Sequence, residues 1–356
     1  MYSHRRLTYI PLWKPLLLLA LLFLPEVTFA QHRMPNYREN VPTDSILLSD
    51  PCILADSASH TYYMTGTGGA MWTSTNLQTW NGPWWVVETD STSWMGKRPQ
   101  IWAAELHQYK GKYYYFATFT NDRTTIDYVA PNRIPRRACH VLVSDRPEGP
   151  YRPMADPTYL PAWKPTLDGT FWVDKDGHPY MVYCHEWLQN GDGTIEYIRL
   201  KDDLSGTLGE SHLMFRASDA PWSRDANPPA DASLIAPTRK YRADGSLPNV
   251  VTDGPWLFRT QTGRLGILWT SWVDDVYTQG VAYSESGTLA GPWVHDAKPI
   301  TPPNYGHGML FHDWKGRLLL SAHSHDASTG RYVRIPHLFL MDDEGNQLKM
   351  LANFKP

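Results

Sequence analysis

Asp168, His185 and Glu186 have the residue types and spacing to do chemistry together. They lie near the two ends of residues 167–188, LDGTFWVDKDGHPYMVYCHEWL, which read as two β-strands folded about a tight turn at Lys175-Asp176-Gly177. An Asp-Gly pair between aromatic and β-branched runs is a strong hairpin signal. Pairing about that turn returns the end of the second strand to the start of the first, so two carboxylates and an imidazole meet at one end of a hairpin. Two carboxylates, one protonated and one ionised, are the usual means of cleaving a glycosidic bond.

The same layout recurs, and repeats of this length decide a fold. Asp50-Pro51-Cys52-Ile53-Leu54 turns back into Tyr62-Tyr63-Met64, and Ile101-Trp102-Ala103-Ala104-Glu105-Leu106 turns at Lys110-Gly111 into Tyr113-Tyr114-Tyr115-Phe116-Ala117. Thr252-Asp253-Gly254-Pro255-Trp256 turns at Thr262-Gly263 into strand 265–269, and Gly306-His307-Gly308-Met309 turns at Lys315-Gly316 into Leu318-Leu319-Leu320. Three of the segments that follow end on Gly-Pro-aromatic punctuation, at Gly82-Pro83-Trp84, Gly149-Pro150-Tyr151 and Gly291-Pro292-Trp293. Hairpins starting at about residues 50, 100, 168, 253 and 306 leave room for a four-stranded blade each. The expected fold is therefore all-β, a five-bladed β-propeller with four-stranded blades around a central channel. A β-sandwich would not repeat the hairpin start. Two long polar insertions, 120–137 and 217–249, are expected to fold over one face as loops.

Composition agrees. Hydrophobic residues make up 42% of the 356 residues and aromatics 13%, with 29 Pro and 25 Gly to punctuate many short strands. Residues 1–30 stand apart: Arg5, Arg6 and Lys14 precede an apolar run, 16–24, and Val27-Thr28-Phe29-Ala30 offers a small-residue cleavage site. This reads as a signal peptide cut after Ala30, its apolar run too short to span a bilayer. The mature protein is expected to be periplasmic or secreted, with no membrane span. Residues 31–44 read as a lead-in and 45–356 as one catalytic propeller. Removing 1–30 takes three basic residues and one acid from the chain's 33 and 36, leaving 30 and 35 and a formal charge of −5. A mildly acidic exported chain excludes nucleic acid as a partner. Cys52, Cys139 and Cys184 show no metal-binding spacing and read as buried small hydrophobes.

In a propeller the innermost strands line the axis. The polar residues that open them, Asp50, Asp168, Asp253 and His307, therefore converge on one mouth, with Trp102 as an apolar wall. An Asp before a strand is often only a turn-former; three at corresponding positions of separate repeats suggest a site. Trp187, Trp256 and Trp272 fall near the same mouth, where flat aromatic faces suit sugar rings. His185 could bond Glu186 or a sugar hydroxyl. Arg98 and Arg334 could reach substrate, though surface or inter-blade roles explain them equally well.

The ordered set Asp50-Pro51, Trp102-Ala103-Ala104 with its following Gly-Lys-Tyr-Tyr-Tyr, Asp168-Gly169-Thr170-Phe171, Asp253-Gly254-Pro255 and Gly306-His307-Gly308 resembles glycoside hydrolase family 43, from about residue 45 onward. The resemblance implies a five-bladed propeller that removes terminal α-L-arabinofuranosyl, β-D-xylosyl or galactosyl residues from plant oligo- or polysaccharide with inversion. It implies Asp50 as general base and Asp168 as the carboxylate that raises the acid's pKa. It makes His307 an axial histidine near a central water or calcium ion, with no other cofactor required. The family's acid is usually a Glu before Gly-Pro, where this chain has Asp253, one methylene shorter. Asp253 or Glu186 could supply the proton. A carbohydrate-binding propeller of the same ancestry, without turnover, is the alternative.

Overall fold

The computed structural model describes residues 33–129, 132–154, 158–223, 250–273, 276–325 and 333–356. The expected signal segment and its cut after Ala30 lie outside them, as does most of the 217–249 insertion.

Each blade is an antiparallel meander running outward from the axis. Blade one comprises β2 (Cys52–Asp56), β3 (Thr61–Thr65), β4 (Ala70–Ser74) and β5 (Thr79–Trp85), and β1 (Arg33–Pro42) adds a fifth, outermost strand against β5. The stretch expected as a lead-in is thus partly sheet. Blade two comprises β6 (Gln100–Tyr109), β7 (Lys112–Val129), β8 (Asn132–Ser144) and the short β9 (Arg152–Pro153). Blade three comprises β10 (Thr166–Val173), β11 (Pro179–His185), β12 (Thr194–Leu200) and β13 (Thr207–Arg216), with a four-residue helix α1 (Trp187–Asn190) after β11. Blade four comprises β14 (Asp253–Arg259), β15 (Leu265–Val273), β16 (Val276–Ser284) and β17 (Trp293–His295). Blade five comprises β18 (Tyr305–His312), β19 (Leu318–Ser324), β20 (Pro336–Asp342) and β21 (Lys349–Asn353), bridged to blade four through Thr278 and Tyr305.

Alternation of side chains across the pleat explains why the inner strands read as unbroken apolar runs. In β7, Tyr113, Tyr115 and Ala117 pack into the layer shared with blade one, while Tyr114 and Phe116 pack toward blade three. Five such layers join the blades, and the last closes the ring by packing Phe311, Leu319 and Leu338 of blade five on Ile53, Met64 and Trp80 of blade one. All three cysteines are free and buried in or beside these layers. The three Gly-Pro punctuations are cis bonds leading into or within the outer strands of blades one, two and four.

The insertion at 120–137 corrects the sequence expectation of a loop. There β7 and β8 simply continue as a long hairpin, paired out to Val129 and Asn132. Its β7 side is mostly exposed from 121 to 129, so no apolar alternation marks that strand, whereas Ile134, Pro135 and Arg137 on β8 are buried.

Trp269 tests the inter-blade packing. It is fully buried between blades three and four, its ring 4.7 Å from that of Trp222 and 5.4 Å from that of Phe215. Trp269→Ala should lower stability by about 3–5 kcal/mol in chemical denaturation.

Candidate active site

Each inner strand enters the axis through one residue with a left-handed backbone: Asp50 (φ 58°), Ala103 (43°), Asp168 (55°), Gly254 (49°) and His307 (52°). In blades two to five this residue sits in a β-bulge, where the pairing of the first two strands skips. A bulge re-aims the side chain it carries, a common device beside active sites. In four blades the amide at this position donates to a side chain from the second strand of the preceding blade or the turn just after it: Ala103 to Thr67 Oγ1 (2.9 Å), Asp168 to Thr118 Oγ1 (2.7 Å), His307 to Thr270 Oγ1 (2.8 Å) and Asp50 to His323 Nδ1 (3.0 Å). In the fifth, the Gly254 amide donates to the Asp168 carboxylate at 3.0 Å.

These backbones refine the repeat alignment. Trp102 and Asp253 do not occupy the same position as Asp50, Asp168 and His307; each stands one residue earlier, beside Ala103 and Gly254. Residue type alone drew Asp253 into the set, because the sequence does not display φ.

The site is one cavity of about 720 Å³ at the mouth of the axis, lined by Asp50, Asp168, Glu186, Asp253, His307, Trp102, Trp187 and Trp272, and also by Thr67, Tyr277 and Arg334. His307 Nδ1 lies 3.1 Å from Asp50 Oδ1 and 3.9 Å from Asp168 Oδ2. Burial pushes the His307 imidazole down, but Asp50, Asp168, Asp253 and Glu105 outweigh it and hold it above its ordinary value. Burial raises the Asp50 carboxyl; the neighbouring His307, the Thr67 hydroxyl and Arg334 reverse this and hold it below the usual carboxylate range. Asp168 and Asp253 are raised, first by burial and then by the carboxylates around them, against the pull of His307. Tyr277 donates its hydroxyl to Asp253 at 3.1 Å. One carboxyl held low and two held high thus share a cavity.

Glu186 is buried, paired through Oε1 with Arg137, whose guanidinium lies 4.0 Å over the Trp102 ring. Among the described residues its Oε2 has no hydrogen-bond partner. Burial raises its carboxyl, with Arg137 opposing.

Two expected site residues do not line this cavity. His185 turns away, with Nε2 2.7 Å from Gln189 Oε1 and Nδ1 3.7 Å from Glu196. Trp256 stacks on His107 at 5.5 Å and lines a separate cavity, because it lies three residues further down β14. Arg98 is exposed, whereas Arg334 lines the cavity and donates to Ser49 Oγ at 3.3 Å. Thr67, Arg137 and Tyr277 were missed: they are ordinary strand and turn residues, and only the bulges and the ring bring them to the mouth.

For a calcium ion at the axis, His307 Nε2 and Glu105 Oε1 are buried polar atoms without hydrogen-bond partners among the described residues. A calcium ion takes about six to eight oxygen ligands. One carboxylate oxygen and an imidazole that its neighbours hold toward the protonated form fall well short of that set, so these residues do not themselves fit the ion.

A propeller with three aspartates and a glutamate around one axial cavity falls in the class of carboxylate-dependent hydrolases. The family model for Glycosyl hydrolases family 43 matches residues 40–344, and the chain belongs to that family, making it a glycoside hydrolase of a cofactor-independent kind. It is similar to the endo-arabinase from Bacteroides thetaiotaomicron VPI-5482, at 31% identity over 85% of this chain and 96% of that one, with a TM-score of 0.70. A thermostable family-43 glycoside hydrolase (20% identity, 90% and 98% covered, TM-score 0.66) and an endo-1,4-beta-xylanase from Bacteroides thetaiotaomicron VPI-5482 (20%, 90% and 99%, 0.63) share the fold. No curated protein matches the chain.

Gly254 offers a test of the cavity's geometry. A Cβ there would lie 2.5 Å from His307 Cδ2 and 2.7 Å from its Cγ. Gly254→Ala should displace the imidazole and lower kcat/KM by about a hundredfold, while the melting temperature falls only modestly.

Proposed function

We propose that the protein removes terminal α-L-arabinofuranosyl residues from plant polysaccharide by an inverting mechanism, with β-D-xylosyl and galactosyl residues as lesser candidates. The observation that carries this reading is the opposed proton affinity of carboxylates in one cavity, Asp50 held low and Asp168 and Asp253 held high. Asp50 is the general base: it takes a proton from a water as that water attacks the anomeric carbon. Asp253 is the general acid and delivers its proton to the glycosidic oxygen as the bond breaks. Asp168, whose carboxyl accepts the Gly254 amide, fixes the backbone next to the acid, while burial and the Asp50 charge raise the acid's proton affinity. Glu186 is a weaker candidate for donor, because one of its oxygens is committed to Arg137; with Arg137 it braces Trp102. Trp102, Trp187 and Trp272 face the sugar.

Arabinofuranose is preferred because the 31%-identical relative is described as an endo-arabinase. That same relative favours a second reading, cleavage of internal linkages. Product analysis on linear arabinan separates the two: release of arabinose alone supports terminal attack, and a ladder of oligosaccharides replaces it with internal attack.

We also propose that the chain is exported and cut after Ala30, from the basic residues and apolar run that precede that position. N-terminal sequencing of the protein recovered outside the cytoplasm should begin at Gln31.

Asp50→Asn should abolish hydrolysis of every substrate. Asp253→Asn should lose activity on natural oligosaccharides yet keep much of it on aryl glycosides, whose leaving group needs no proton. If Glu186→Gln shows that pattern instead, the acid is Glu186. In the wild type, kcat/KM should fall at low pH only below the ordinary carboxylate range, as Asp50 is protonated. It should fall again as pH rises through the raised value of the acid, and Asp253→Asn should remove that upper limb.

A further inference from the structure

Among the described residues, Tyr128 and Trp163 are the two aromatic side chains with most of their surface in solvent, at 65% and 63% exposed. Single exposed aromatics are ordinary. These two are tied to one side chain. Gln189 Nε2 donates to Asp127 Oδ2 at 2.8 Å, next to Tyr128 at the tip of the β7–β8 hairpin, and to the Trp163 carbonyl at 3.1 Å, in the loop before β10. Gln189 belongs to α1, the four-residue helix that begins with Trp187, part of the cavity wall. His185 holds the amide oxygen of Gln189 at 2.7 Å. The neighbour of Trp163, Lys164, is anchored by a buried pair with Glu196, which also accepts the Tyr183 hydroxyl. A short braced path thus runs from the cavity to both exposed rings.

We propose that Tyr128 and Trp163 form an aromatic platform beside the mouth, stacking sugar units of an oligosaccharide beyond those held in the cavity. The proposal rests on the arabinofuranosyl-hydrolase reading and names its substrate class: a chain of several sugars rather than a short glycoside. Two exposed aromatic faces, carried on backbone that Gln189 of α1 ties to the cavity wall, suit the apolar CH faces of pyranose or furanose rings. Bracing that backbone before binding lowers the cost of ordering the contact. The platform also gives His185 a role, as a positioning residue for Gln189.

The test compares wild type, Tyr128→Ala, Trp163→Ala and the double variant on an aryl α-L-arabinofuranoside and on arabino-oligosaccharides of increasing length. Wild-type kcat/KM should rise with length. The double variant should lose about tenfold on the longer substrates, the size of a lost aromatic contact, with aryl-glycoside rates within twofold of wild type and an unchanged melting temperature. Equal losses on both substrates would assign the rings a structural role and overturn the proposal; so would no loss on long substrates. If the wild type cleaves none of these, the hydrolase reading fails separately, and retardation in gels containing arabinan then makes the same comparison: slower migration of wild type than of the double variant supports the platform, and equal migration overturns it. Sedimentation of both proteins identifies a second copy of this chain as the occupant if only the wild type dimerises, which also overturns the proposal.

Discussion

A left-handed residue at the head of each inner strand, with its amide fixed in every blade by the blade before it, is the constraint on which the site depends. Such a backbone is unfavourable for most L-residues, though Asp and Asn tolerate it better than others. Here it is held by a hydrogen bond that another blade supplies, so the conformation belongs to the ring rather than to the local sequence. Its effect is to turn Asp50, Asp168 and His307 into the axis, where an unbulged strand would send alternate side chains into the layers between blades. Blade three shows the dependence by exception. Its second strand carries Cys184 opposite Leu167, where blades two and four have threonines, and the amide of Gly254 is accepted by Asp168 instead. A carboxylate of the site thereby replaces the missing hydroxyl, which couples Asp168 directly to the backbone beside Asp253.

The electrostatics follow from crowding. Buried carboxylates cannot all ionise without compensation, because desolvation and mutual repulsion both favour the neutral form. The His307 imidazole is held toward its charged form, and its Nδ1 lies closer to Asp50 than to Asp168. Asp50 therefore gains most from it and is held low, while Asp168 and Asp253 are held high. His323 acts without adding charge: burial lowers its pKa to about 3, so it stays neutral and accepts the Asp50 amide through Nδ1. The two histidines nearest Asp50 thus divide the work, one facing the carboxylate and one fixing the backbone.

The strands and their repeat were legible because both faces of an inner strand are buried and Gly or Asp-Gly turns separate them. The cavity's carboxylates were legible because they recur at one point of the repeat. What the sequence hid depends on conformation or on height above the core. The one-residue offset of Trp102 and Asp253 is a matter of φ, which residue types do not reveal. The β7–β8 hairpin beyond Thr120 is largely exposed along β7, from 121 to 129, so that strand carries no apolar alternation and its polarity reads as loop. Arg137 sits within that polar stretch, yet it is buried because the hairpin's base lies over Trp102 and Glu186. Trp256 misled for the opposite reason: three residues along a strand span about 10 Å, enough to carry it out of the mouth.

Ring closure and positioning of Asp50 are one problem in this chain. The amide of Asp50, in the first blade, is held by His323 of the last, and the Pro51 carbonyl accepts the hydroxyl of Ser321 from the same strand. Leu48 donates its amide to the Arg334 carbonyl, and the Arg334 side chain both reaches Ser49 and lines the cavity. These contacts between blade five and blade one therefore also shape the surroundings of Asp50. Loosening that seam would free the backbone that holds Asp50 in its left-handed geometry. Asp50 is thus set by residues more than 270 positions away in sequence, and only the closed ring brings them within hydrogen-bonding distance.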